Sequence, residues 1–180
     1  MDHMMCKVVI ILLTQKKTQV IRQSLEGFWA QDAFDGVKVF SEAAGLPEIA
    51  SQLSEKISVY LHIKESVDDD GRWYLLLRTC AEYQGQSDIE ELPVYLGQKW
   101  RSSALDLTCW VDDDSVNIEI NGSSIGSVRR KYQVSVDGQQ LLLTTTLVKT
   151  TVEEEHEFSS NNIDNEISCQ RYFNRQMPMF

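Results

Sequence analysis

The chain has 180 residues and a formal net charge of −10, with 42% hydrophobic and 24% charged residues. This length fits one domain with a substantial hydrophobic core. The negative charge argues against nucleic acid and against anionic membranes as main partners, because both attract basic surfaces. The four cysteines stand far apart and form no Cys-x-x-Cys pair, which favours reduced thiols and a cytoplasmic protein.

Residues 1–24 are predicted to form an N-terminal extension outside the core. They contain a short apolar run at residues 8–13 among basic side chains. Six apolar residues are too few to span a bilayer and fall short of the ~7–15 residues of a secretory signal. Lysines follow the run directly, and no clear small-residue cleavage site follows it. We interpret this extension as an additional strand or helix, with a cleaved signal peptide as the alternative.

From Leu25 onward the pattern is β-rich with one helical interruption. Residues 33–56 space their apolar side chains by three and four, and Gly45 and Pro47 divide this segment in two. Glycine just past one helix and proline at the start of another predict a helix-turn-helix pair. Alternating apolar and polar residues then predict strands at 57–63, 73–79, 92–100, 105–111, 116–120, 128–136, 141–148 and 167–175.

Turn signals separate these strands. Asn121-Gly122 and Asp137-Gly138 are two-residue hairpin signals, and aspartate triplets mark two further turns. The acidic stretch 152–166 is poor in strand formers and is predicted to be a solvated insertion before the last strand. Many short strands joined by hairpins predict a mainly β fold, closed as a barrel or paired as a sandwich, over residues 25–176.

Two arginines interrupt the apolar register of their strands. Arg130 is in register with Val128, Tyr132, Val134 and Val136, and Arg171 is in register with Ile167, Cys169 and Phe173. Because strand side chains alternate between faces, both guanidinium groups are predicted to lie on the apolar side. A guanidinium buried without a partner costs about 3–5 kcal/mol, so an anion should balance it. The alternative is an arginine at a strand end whose stem covers the core while its head group reaches water.

Catalytic and metal-binding motifs are weak in this sequence. His3, His62 and His156 lie far apart, at no metal-ligand spacing from a cysteine or carboxylate. The aspartate triplets lack the alternating pattern and distal glutamate of a calcium loop. No nucleophile motif, phosphate-binding glycine loop or dinucleotide fingerprint is present. We therefore expect no metal, no cofactor and no enzymatic activity.

Several motifs, taken in order, resemble those of the intracellular lipid-binding proteins, the fatty-acid- and retinoid-binding branch of the calycin superfamily. The similar segments are Gly27-Phe28-Trp29 for the Gly-x-Trp opening, Ala44-Gly45 for a Leu-Gly pair after it, residues 94–100 for the Φ-x-Leu-Gly-x-x-Phe segment, Asn121-Gly122 for the Trp-Asp-Gly hairpin, and residues 169–173 for the Cys-x-Arg-x-Tyr signature. Together they cover residues 25–175, most of the chain.

This resemblance implies a closed, up-and-down antiparallel barrel of about ten strands, with a helix-turn-helix lid at 33–56 after the first strand. It implies a long-chain fatty acid or related hydrophobic carboxylate inside, its head group held by Arg130 and Arg171 facing each other across the interior. Arg129 and Lys131 are rivals for the upstream arginine, and the alternation favours Arg130.

The resemblance also selects further ligand contacts. Phe173 stands at the family's tyrosine position and lacks its hydroxyl group, and Tyr132 is the candidate substitute donor. Val37 and Phe40 of the predicted lid complete the predicted ligand-binding residues. The chain is then expected to be a monomeric, non-enzymatic carrier in the cytoplasm. The lid carries four acidic side chains against two lysines, which favours release through water or to a protein over collision with anionic membranes.

Three alternatives remain at this stage. The first is a structural or interaction barrel whose interior is filled by bulky side chains such as Tyr132 and Trp110. The second is a secreted lipocalin, which requires a signal peptide and a disulfide. The third is an isomerase or dehydratase on a similar barrel, for which no acid–base pair is visible.

Overall fold

The computed structural model describes residues 19–20, 23–97, 99–102, 105–112, 114–123, 126–148 and 166–177. Two short helices, α1 (Val37–Ala43) and α2 (Glu48–Ser54), follow the first of ten strands. The strands are β1 (Gly27–Asp35), β2 (Ser58–Val67), β3 (Trp73–Tyr83), β4 (Gln86–Val94), β5 (Lys99–Ser102), β6 (Leu105–Asp112), β7 (Ser115–Ser123), β8 (Gly126–Val134), β9 (Gln140–Val148) and β10 (Ile167–Gln176).

All ten strands form one antiparallel sheet in the order β4-β3-β2-β1-β10-β9-β8-β7-β6-β5. Sequential strands are neighbours, and β1 also pairs with β10, which joins the first strand to the last. The sheet curls strongly, so that side chains from both of its halves enter one hydrophobic core. The mainly β, up-and-down antiparallel prediction is confirmed. Pairing between β4 and β5, which would close the barrel, is not seen among the described residues.

The strand predicted at 92–100 is wrong, because two strands share this segment. Leu92 and Val94 end β4, Gly97 turns the chain with a φ of 74°, and β5 then begins. The first half of β4 has no apolar alternation, since residues 86–91 are exposed on both faces. The β3–β4 hairpin turns at Gln84 and Gly85, which both have positive φ, as a two-residue turn of this kind requires.

The two hairpin signals have different outcomes. Asn121 and Gly122 lie inside β7, where the register with β8 shifts, and the chain reverses only after Ser123. Asp137-Gly138 does lie in the turn between β8 and β9, but the loop is longer than two residues: the Gly138 amide donates to the Ser135 carbonyl over 2.9 Å, and β9 begins at Gln140. Val136 therefore lies beyond the end of β8 and is fully exposed.

The helical segment is shorter than the predicted 33–56. Strand β1 continues to Asp35, and α1 and α2 are separated by the turn at 44–47. Helix α1 packs against β10 and α2, and it buries Val37 and Phe40 in the core. Most of the predicted extension 1–24 and all but Glu166 of the predicted insertion 152–166 lie outside the described residues.

An arginine clamp fastens the start of β1 to the end of β10. Arg175 donates to three carbonyl oxygens, those of Gly138 (2.7 Å), Glu26 (2.7 Å) and Ser24 (2.5 Å). Its guanidinium lies 4.2 Å from the ring centroid of Trp29, whose indole N–H donates to the Leu25 carbonyl over 2.9 Å.

The glycine of the Gly-x-Trp motif belongs to this clamp. A Cβ atom at Gly27 would lie 2.8 Å from Nη1 of Arg175, and the φ of Gly27 is 145°. Glycine at this position therefore lets the guanidinium approach the backbone of β1.

Replacing Gly36 with alanine tests the close packing of α1 on β10. Gly36 has a φ of 69°, and an added Cβ would lie 2.9 Å from the Ser168 carbonyl oxygen. Gly45 has a φ of 70°, with no atom within 4 Å of such a Cβ. Gly45→Ala should cost about 1 kcal/mol of unfolding free energy from backbone strain alone. Gly36→Ala should cost about 2–3 kcal/mol in denaturant titration, because the steric clash adds to the strain. Equal losses would show that α1 is not held tightly against β10.

Candidate functional site

Strand pairing aligns the inner side chains of β6 to β10 in rows that cross the sheet. One row consists of Cys109, Ile118, Arg130, Thr145 and Cys169. The next row consists of Val111, Val116, Tyr132, Leu143 and Arg171. Arg130 and Arg171 therefore lie on the same inner wall, which is the inward face of strands β6 to β10. Strand β9 lies between their strands, and the two residues are one row apart. The expectation that they face each other across the interior is wrong.

Arg171 is held by a neighbour from β1. Its Nη1 donates to Oε1 of Gln31 over 2.5 Å, and both side chains are half-buried. Burial lowers the pKa of Arg171, and the nearby positive charge of Arg130 lowers it further. The two guanidinium groups are thus close enough to repel each other, which makes their surroundings attractive to an anion.

Arg130 interacts with the hydroxyl group of Tyr132, two residues further along β8. Burial acts to lower the pKa of Arg130, but Tyr132 and Glu90 outweigh it and raise the pKa above its ordinary value. Tyr132 is only 3% exposed, and burial raises its pKa, so its hydroxyl group remains protonated at neutral pH. A protonated hydroxyl beside Arg130 is a hydrogen-bond donor for an incoming oxygen atom.

The other three predicted site residues also lie inside. Phe173 is 1% exposed and pairs with Gln31 on one side and Leu141 on the other. Val37 and Phe40 of α1 are almost fully buried. The structure thus brings the six predicted residues to the interior, although these three are packed as core residues.

Arg129 and Lys131, the two alternatives to Arg130 as the head-group residue, lie on the outer face of β8. Arg129 pairs with Glu119 over 3.3 Å, and its guanidinium lies 5.7 Å from the ring centroid of Trp110. The alternation therefore selected Arg130 correctly as the inward arginine. Trp110 is also on the outer face, so it does not fill the interior as the alternative of a filled barrel supposed.

Two free thiols flank Arg130 in its row. Burial raises the pKa of Cys109 to about 12, and burial also raises the pKa of Cys169. Both thiols are therefore protonated at neutral pH and add no charge to the interior. Cys80 is free as well, so no disulfide joins the three cysteines of the described residues. Within the described ranges, no group of three His, Cys, Asp or Glu side chains could hold a metal ion.

Sequence reasoning missed two polar residues near this site, Gln31 and Glu90. Gln31 could have been found as the polar residue in register with Trp29. Glu90 is in register with Leu92 and Val94, which are 6% and 0% exposed, so it lies on the inner side of β4. Its negative charge raises the pKa of Arg130 and of Tyr132, although β4 and β8 are six strands apart in the order of the sheet.

Solved structures of fatty-acid-binding proteins share this architecture. The REP1-NXSQ fatty acid transporter matches with a TM-score of 0.61 at 13% identity, covering 86% of this chain and 98% of its own. Fatty-acid-binding protein 1 of Echinococcus granulosus gives a TM-score of 0.60 at 15% identity, with coverages of 85% and 98%. As-p18, an extracellular fatty acid binding protein, gives 0.55 at 13%, with coverages of 85% and 96%.

These likenesses establish the fold, and they confirm the resemblance read from the sequence motifs. The chain has the curled ten-stranded fold of these solved structures. No protein-family model and no curated protein matches the sequence. In the described part of the chain, no helix has both the length and the apolar character that a membrane crossing needs.

Proposed function

We propose that this protein is a non-enzymatic carrier that binds a long-chain fatty acid or a related hydrophobic carboxylate within its curled sheet. The observation that carries the proposal is the pair of arginines on one inner wall, Arg130 and Arg171. Among the described residues, neither guanidinium forms an ion pair with a carboxylate. A ligand carboxylate supplies the missing counter-charge.

The energetics of such a ligand divide between its tail and its head group. Each buried methylene contributes about 0.8 kcal/mol, so a long alkyl tail supplies most of the affinity. The inner faces of the strands are lined by leucine, isoleucine and valine side chains, which suit such a tail. The guanidinium groups supply the choice of head group, because charge-assisted hydrogen bonds are stronger than neutral ones.

The head-group contacts follow from the row geometry. Arg130 and Arg171 donate to the carboxylate from adjacent rows of the same inner wall, and Tyr132 supplies the hydroxyl hydrogen bond that Phe173 lacks. Gln31 orients Arg171 through the 2.5 Å contact between their side chains. The named fatty-acid transporter and fatty-acid-binding proteins with this fold support the same class of ligand.

The remaining features of the proposal concern the whole chain. The barrel of residues 25–176 closes around the ligand, with Val37 and Phe40 of α1 contacting it and the helix pair acting as the lid. We propose a monomer in the cytoplasm, with residues 1–24 outside the barrel. The acidic side chains of the helix pair disfavour delivery by collision with anionic membranes, so release occurs through water or to a protein partner.

The proposal is tested with two arginine variants on neighbouring positions of β8. Arg130→Gln should weaken binding of a long-chain fatty acid by about 10- to 100-fold, because a hydrogen bond to a charged group contributes about 1.5–3 kcal/mol. The matched fatty alcohol should bind almost unchanged. Arg129→Gln is the control, since Arg129 lies on the outer face and should affect neither ligand. Affinities are measured by displacement of a fluorescent fatty acid.

Equal affinity of the wild type for acid and alcohol would contradict the assigned head-group role. Absence of binding for both ligands would instead favour the alternative of a structural barrel with a filled interior.

A further inference from the structure

The partner that holds Arg171 is a neutral amide. Oε1 of Gln31 accepts a hydrogen bond from Nη1 of Arg171 over 2.5 Å, and both side chains are half-buried. On the outer face of the sheet, by contrast, Arg78 pairs with the carboxylate of Glu91. The inward arginine is therefore fixed by a group that carries no charge.

An irregularity of β1 lies directly after this amide. Gln31 pairs with Phe173 of β10, and the register then shifts before Ala33, which leaves Asp32 as the extra residue of a β-bulge. Gln31 is half-buried, whereas Asp32 is exposed. Because a bulge changes the direction of the side chains around it, two neighbouring residues of one strand have different surroundings. The amide thus lies at Arg171, and the carboxylate next to it in sequence lies in solvent.

An amide and a carboxylate at this position differ in what they leave to a ligand. The carbonyl oxygen of Gln31 satisfies one N–H group of Arg171 and fixes the guanidinium, but it does not compensate the positive charge. A glutamate of almost the same shape would form a charge-assisted pair with the guanidinium and neutralise it. A ligand carboxylate would then compete with an internal one for the same donor groups.

We propose that Gln31 is a positioning residue that sets the head-group selectivity, because it fixes the guanidinium of Arg171 without neutralising it. The interior thereby selects carboxylates over neutral head groups on the same alkyl chain. This inference rests on the proposed function, since it assumes that the head group lies at Arg171. It adds that the selectivity depends on a neutral hydrogen-bonding side chain at position 31, which acts through Arg171.

The test measures a long-chain fatty acid and the matched fatty alcohol by displacement of a neutral fluorescent lipid. Gln31→Glu adds a charge that pairs with Arg171, so the acid should bind about 30-fold more weakly or worse. Gln31→Leu removes the hydrogen bond but keeps the charge of Arg171, so the acid should bind only about fivefold more weakly. The alcohol should bind almost unchanged in both variants.

Two controls isolate the contact between Gln31 and Arg171. Gln170→Glu adds the same charge next to Arg171 in sequence, but on the outer face, where Oε1 of Gln170 accepts from the Tyr172 hydroxyl over 2.6 Å. It should leave both affinities almost unchanged. In an Arg171→Met background, Gln31→Leu should cause no further loss of acid binding, because a double-mutant cycle removes an effect that depends on the partner.

Three results would overturn the inference. Equal losses of acid and alcohol in Gln31→Glu would show that the residue only supports packing. A full effect of Gln31→Leu without Arg171 would show that it does not act through that arginine. An equal effect of Gln170→Glu would show that any added charge suffices.

The failure of this inference can be told from that of the proposed function. If Arg130→Gln removes the preference for acid over alcohol while the Gln31 variants keep it, the carrier function stands and only the role of Gln31 fails. If the wild type binds neither ligand, or binds both equally, the proposed head-group site and this inference fail together.

Discussion

Replacing Arg175 with alanine should lower the free energy of unfolding by about 3 kcal/mol. The side chain donates to the carbonyl oxygens of Gly138, Glu26 and Ser24, and its guanidinium stacks on Trp29. Alanine removes these three hydrogen bonds and the cation–π contact with the indole ring. The variant should unfold at clearly lower urea concentration than the wild type.

The controls for this prediction separate geometry from charge. Arg175→Lys keeps the charge, but its three N–H donors share one nitrogen atom and cannot reproduce contacts that Arg175 makes from Nε, Nη1 and Nη2, so it should recover only part of the stability. Arg78→Ala removes an exposed arginine that pairs with Glu91, and should cost only about 0–1 kcal/mol. If Arg175→Ala costs no more than Arg78→Ala, the clamp does not stabilise the fold.

The inward arginines show what the sequence can predict. On β8 and β10 one face packs into the core, so polar and apolar residues alternate, and Arg130 and Arg171 could be placed inside from the pattern alone. The placement of Tyr132 and Phe173 followed in the same way. Arg175 shares the register of Arg171, but its partners are backbone carbonyls of residues far away in sequence, which no local pattern reveals.

The wrong and the missed predictions have two kinds of cause, local irregularities of single strands and the topology of the whole sheet. The first half of β4 is exposed on both faces and therefore carries no hydrophobic period. The Asn121-Gly122 pair lies within β7, where the register with β8 shifts, so this strong turn signal did not mark the turn. The interaction of Glu90 with Arg130 depends on the curl of the whole sheet. Such a long-range electrostatic interaction between strands six positions apart follows from topology and not from residue spacing.

A second variant, Arg171→Met, should act on stability and on binding in opposite directions. Burial and the charge of Arg130 lower the pKa of Arg171, which means that folding disfavours its charged form. Because a lowered pKa of a cation reduces stability at every pH below that pKa, removing the charge should help folding. We expect the unliganded protein to gain about 1–2 kcal/mol, since well-packed apolar replacements of buried charges are often stabilising.

The same substitution should weaken fatty-acid binding by about 30-fold or more, because the carboxylate loses a charged hydrogen-bond donor. Gln31 also loses its partner, but its half-buried amide can turn towards water. Urea unfolding without ligand and displacement of a fluorescent fatty acid measure the two effects. Arg101→Met is the control, since Arg101 is exposed and pairs with Asp106. A less stable Arg171→Met variant with unchanged binding would mean that Arg171 supports the fold and holds no ligand. A more stable variant that binds poorly would mean that the fold keeps two repelling charges together for the sake of the ligand.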